Sequence, residues 1–118
     1  MGKRSCKIPF MSSYIVVLVT VGSVGEADKL GCSLVEERLA ACVNRVGPIQ
    51  SVYRWQGRIE EEEEYLLIIK TREDLFARLK TRIVSLHSYS VPEIIALPIV
   101  EGNESYLQWL GEQLIGDK

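Results

Sequence analysis

Few side chains in this sequence are suited to chemistry, and their types restrict what that chemistry can be. His87 is the sole histidine, and an imidazole with a nearby carboxylate such as Glu93 suits Cu(II) or Zn(II). Cys42 offers a soft thiol for Cu(I), although its apolar flanks favour a packing role at a strand start. His87, Glu93 and Cys42 are therefore the candidate metal ligands, with groups of a second subunit free to complete the shell. Glu60 to Glu64 are five consecutive carboxylates. They attract divalent cations weakly, but strand neighbours alternate sides, so all five cannot converge on one ion. Tyr53, Trp55 and Tyr89 either line a cleft between subunits or pack a hairpin against a neighbour. Gly22-Ser23-Val24-Gly25 precedes a helix and offers amides to an anion, without the spacing of a phosphate-binding glycine motif. Neither a Ser-His-Asp nor a Cys-His order is visible, so a non-catalytic protein is expected.

The bulk numbers narrow the class further. A chain of 118 residues fits one domain, and its 47% hydrophobic and 25% charged residues are those of a soluble globular protein. Fourteen basic against sixteen acidic residues give a formal charge of -2, which lacks the footprint of a nucleic-acid binder. The three cysteines, Cys6, Cys32 and Cys42, show neither C-x-x-C spacing nor an even count. Reduced thiols in a cytoplasmic protein follow, with no disulfide framework and no zinc knuckle. No apolar run approaches the roughly 20 residues needed to span a bilayer.

These residues need elements to hold them. Tyr14 to Thr20 is β-branched and aromatic throughout, which reads as a central strand rather than the core of a secretion signal. A loose leader over residues 1–13, expected to be disordered, precedes a single domain over 14–118, with Met11 an alternative start. A helix is expected from about Glu26 to Ala41, since Ala27, Leu30, Leu34 and Ala41 recur at helical spacing. Cys42 to Val46 reads as a strand that bends at Gly47-Pro48 and continues from Ile49 to Gln56. Gly57-Arg58 is the turn candidate, and the returning arm carries the glutamates into solvent before Tyr65 to Thr71 enters the core. Thr71 is placed to cap a second helix bearing Leu75, Leu79, Ile83 and Leu86. A loop follows over His87 to Glu93, then a strand over Ile94 to Val100, then a short helix with Tyr106, Leu107, Leu110 and Leu114 on one face. The order β-α-β-β-α-β plus a helix matches the ferredoxin-like α+β sandwich. Both long helices then cover one face of a four-stranded antiparallel sheet. The other face is too apolar to stay wet, and assembly is the physical remedy.

Five segments in order resemble the CutA (divalent-cation-tolerance) family: Leu39-Ala40-Ala41-Cys42-Val43-Asn44, Tyr53-Arg54-Trp55-Gln56-Gly57-Arg58-Ile59, Lys70-Thr71, His87-Ser88-Tyr89-Ser90-Val91-Pro92-Glu93-Ile94, and Tyr106-Leu107-Gln108-Trp109-Leu110. The resemblance implies a tight homotrimer of PII-like architecture, a link to divalent-cation tolerance, and copper(II) as one metal that members bind. No cofactor is required. It departs from the family pattern at Ser88, which stands where proline is usual, and at Val19 and Leu86, which stand where copper-binding members carry Cys and His. A PII-like sensor of a small anionic effector between subunits, using Gly22 to Gly25 and Lys29, is the alternative reading.

Overall fold

The computed structural model describes residues 13–116. Residues 1–12 of the expected leader, Cys6 and Met11 among them, lie outside the described residues. The chain runs β1 (Tyr14–Val21), α1 (Val24–Glu36), β2 (Cys42–Trp55), β3 (Arg58–Arg72), α2 (Phe76–Leu86), β4 (Ile94–Pro98) and α3 (Glu104–Glu112). The four strands form one antiparallel sheet in the order β2-β3-β1-β4. This is the ferredoxin-like arrangement expected from the element order.

β1 is central, as its β-branched run requires. Ile15, Val17 and Val19 point to one face and pack with Leu67 and Ile69 of β3 against Leu30 and Leu34 of α1 and Leu79 and Ile83 of α2. Each such side chain contributes about 1.5–3 kcal/mol by leaving water, so this layer dominates the core. The opposite face is the apolar one that the element order leaves without helices of its own. Val16, Leu18, Leu66 and Ile68 are only half-buried there, and their β4 partners Ile95 and Leu97 stand 49% and 50% exposed. α3 shields just one end of that face. Its Gly111 sits directly against the Tyr14 hydroxyl, and Leu110 and Leu114 bury with Ala41 and Leu75. Arg38 holds α3 in place by donating Nε to the Gln113 carbonyl at 2.9 Å and Nη2 to the Glu112 carbonyl at 2.8 Å.

Several element ends differ from the sequence reading. α1 begins two residues early because the Ser23 hydroxyl accepts the Glu26 amide at 3.1 Å and caps the helix. It ends at Glu36 rather than Ala41, because Arg38 turns left-handed at φ 61° and the Leu39 and Ala40 amides fold back onto the Leu34 carbonyl. Thr71 does not cap a helix. It lies inside β3, fully buried opposite Ile15, and donates its hydroxyl to the Leu39 carbonyl at 2.7 Å. A 3₁₀ turn over Glu73–Leu75 leads into α2 instead, its first amide bonded to the Ser13 carbonyl at 2.7 Å. β4 stops at Pro98, short of Val100. Tyr106 is exposed rather than on the packed face of α3.

β2 and β3 outrun the rest of the sheet. β1 pairs with β3 only from Arg72 back to Tyr65, so residues from Ile49 to Glu64 form a two-stranded arm. The arm lengthens the molecule to 56 Å against 28 and 24 Å in the other directions. A register shift between Val46 and Ile49 marks the expected bulge, where Gly47 takes φ 148° with Tyr65 packed too closely for any side chain. The tip turns one residue earlier than expected, at Gln56-Gly57. Both have positive φ (52° and 81°), the primed turn that suits the twist of a hairpin.

Candidate functional site

Alternation along the arm decides which of the five glutamates share a face. Glu60, Glu62 and Glu64 stand opposite Tyr53, Ser51 and Ile49, while Glu61 and Glu63 turn the other way. The run therefore does not stay a uniformly solvated face. Its three even members enter a cleft of about 720 Å³ between the arm and the loop that follows α2. Tyr53, Trp55, Tyr89, Ser51, Thr20 and Glu93 complete most of the wall.

Glu64 is the innermost carboxylate, only 6% exposed. Tyr89 donates its hydroxyl to Glu64 Oε2 at 2.8 Å. Burial, followed by that hydrogen bond and the Glu64 charge, pushes the Tyr89 phenol well above its ordinary value. The Tyr53 phenol is pushed up to about 12, first by its hydrogen bond to Glu62 and then by partial desolvation and the charges of Glu62, Glu64 and Glu60. Two phenols from different elements thus report the same negative field. Tyr89 donates its hydroxyl to a carboxylate, and Tyr53 holds its proton beside another.

His87 sits behind this wall rather than in it. Its side chain is buried, Nε2 lies 2.7 Å from the Thr20 carbonyl, and Nδ1 receives the Tyr89 amide at 3.0 Å. A carbonyl needs a donor and an amide needs an acceptor, so these partners select the neutral Nε2–H tautomer. Glu26 Oε2 lies 3.4 Å from Nδ1 and is itself engaged by the Ser88 amide at 2.9 Å, while the Ser88 hydroxyl binds Oε1 at 3.0 Å. His87 and Glu26 together fasten the loop to β1 and α1, which aims the Tyr89 ring at Glu64. Ser88 supplies two of those bonds.

The three expected ligands do not come together. Glu93 lines the cleft and His87 lies under it. Cys42 pairs with Lys70, four residues along β3 from Leu66, the partner of Thr20; that is roughly 13 Å down the sheet. Cys42 is also no core thiol. It is half-buried beside polar groups, with Sγ 3.7 Å from Asn44 Oδ1 and 3.9 Å from Lys70 Nζ. Cys32 is exposed. Among the described residues no three His, Cys, Asp or Glu side chains are grouped to hold a metal ion. At the start of α1, the Ser23 hydroxyl is committed to the helix's own amide, and Glu26 places a carboxylate in the first turn. An anion there meets a negative neighbour. Tyr53, Trp55 and Tyr89 share a cleft within one chain. Its acidic wall escaped the sequence reading, although the i, i+2 spacing of glutamates beside a strand carrying Tyr53 and Trp55 was a usable signal.

No helix among the described residues is long and apolar enough to cross a membrane. The family model described as CutA1 divalent ion tolerance protein matches residues 15–113. A divalent-cation tolerance protein CutA of Thermus thermophilus is 56% identical over 97 residues, covering 82% of this chain and 94% of its own length. The chloroplastic CutA protein of Arabidopsis thaliana is 51% identical over 96 residues, 81% of this chain, and this chain spans about half (53%) of its length. Human CutA is likewise only about half spanned, 55% of its length at 44% identity. Solved structures agree in fold. The divalent cation tolerance protein (Cut A1) of Thermus thermophilus superposes with TM-score 0.84 at 53% identity, covering 86% of this chain and 98% of that one. CutA1 of Oryza sativa gives TM-score 0.87 at 47% identity, covering 89% and 96%. The chain belongs to the CutA1 divalent ion tolerance protein family.

Proposed function

We propose that this protein acts without catalysis, as a cytoplasmic homotrimer in the response to divalent metal ions. The assembly rests on one observation: the sheet face opposite α1 and α2 carries Val16, Leu18, Leu66, Ile68, Ile95 and Leu97 with only the end near Tyr14 covered. A monomer leaving that apolar patch in water forfeits a large part of its hydrophobic stabilisation. The paired arm, with Val52 and Ile59 exposed toward its tip, is a second surface suited to a neighbouring copy. The metal response is supported by the name that the family and its Thermus relative carry.

Copper(II) is the metal that this reading includes. Of the expected ligands, Glu93 has its side chain on the open cleft. His87 can reach a metal only by giving up the Thr20 carbonyl or the Tyr89 amide, and Cys42 serves a different part of the sheet. The free thiols of Cys32 and Cys42 support a reducing compartment. The alternative, an anionic effector held at Gly22 to Gly25, has less support because Ser23 and Glu26 already occupy the helix start.

Sedimentation equilibrium tests the assembly, and stable monomers at micromolar concentration would sink it. Melting curves with Cu(II), Zn(II) and Mg(II) test the response. A rise specific to one metal, diminished in Glu93→Gln, supports the reading; identical curves with and without every metal overturn it.

A further inference from the structure

We draw no further inference here: the strongest candidate, the Cys42–Lys70–Asn44 side-chain cluster on the sheet face opposite α1 and α2, rests on one half-buried thiol and on hydrogen bonds within the cluster, and nothing in the structure shows what covers it.

Discussion

The Tyr89 hydroxyl meets the Glu64 carboxylate at 2.8 Å across 25 residues of sequence. That bond closes the inner end of the cleft, joining the arm to the loop after α2. In Tyr89→Phe the ring remains but Glu64 loses this donor inside a nearly sealed site. A buried acceptor left unmade costs about 1–3 kcal/mol, more when it is charged. Urea denaturation should show a lower midpoint for Tyr89→Phe at neutral pH. Equal midpoints for the two proteins would mean that water or a neighbouring copy already satisfies Glu64.

Tyr53 supplies a pH test of the same field. Its phenol is raised from 10 to about 12, so between those values the folded chain holds a proton that the unfolded chain has released. A group raised in the folded state stabilises below its unfolded value and loses that contribution as pH climbs through its folded value. The Tyr53-linked stability is therefore fully present below pH 10 and disappears between 10 and about 12. Denaturation midpoints at pH 9 and pH 11 should fall less in Tyr53→Phe than in the parent, and a phenolate absorbance titration should lose its late-ionising component. Parallel falls in both proteins would show that Glu62 does not hold the phenol proton.

Thr71 carries a prediction about how α1 joins the sheet. Its hydroxyl donates to the Leu39 carbonyl at 2.7 Å from a fully buried position, tying the turn after α1 to β3. Thr71→Val preserves shape and removes the donor, leaving the carbonyl unpaired. A loss of about 1–2 kcal/mol follows, read from the denaturant midpoint with an unchanged slope. Stability within about 0.3 kcal/mol of the parent would show that the carbonyl finds another donor.

The same residue shows where the sequence is legible and where it is not. The order of elements and the buried face of β1 follow from periodicities of 2 and 3.6, which are local. Thr71 before Arg72-Glu73-Asp74 has the local chemistry of a helix cap, yet β1 pairing holds it in β3, and that register is not visible in a window of ten residues. α1 ends early at Glu36 because Arg38, two residues on, turns left-handed, where glycine would have been the warning. The cleft was harder still. Its acidic row is local, but its function as a wall depends on Tyr89, and Tyr89 is placed by His87 and Glu26 binding across three elements. His87 drew notice as a metal ligand for being the only imidazole; in the fold its two nitrogens serve the loop.

The open sheet face gives the most direct test of assembly. Ile95 and Leu97 lie on edge strand β4, opposite Leu18 and Val16, and about half of each remains exposed in the isolated chain. Lysine at both positions reaches water without entering the helix-covered core, so the protomer fold should survive. In a trimer that buries this face, two ammonium groups would be desolvated without partners, and each such group costs several kcal/mol. The Ile95→Lys, Leu97→Lys double variant should therefore sediment as a monomer or dissociate at concentrations where the parent stays associated. Its far-ultraviolet circular dichroism should match the parent's. If the variant keeps the parent's mass, this face is not where the copies meet, and the arm becomes the surface that must account for association.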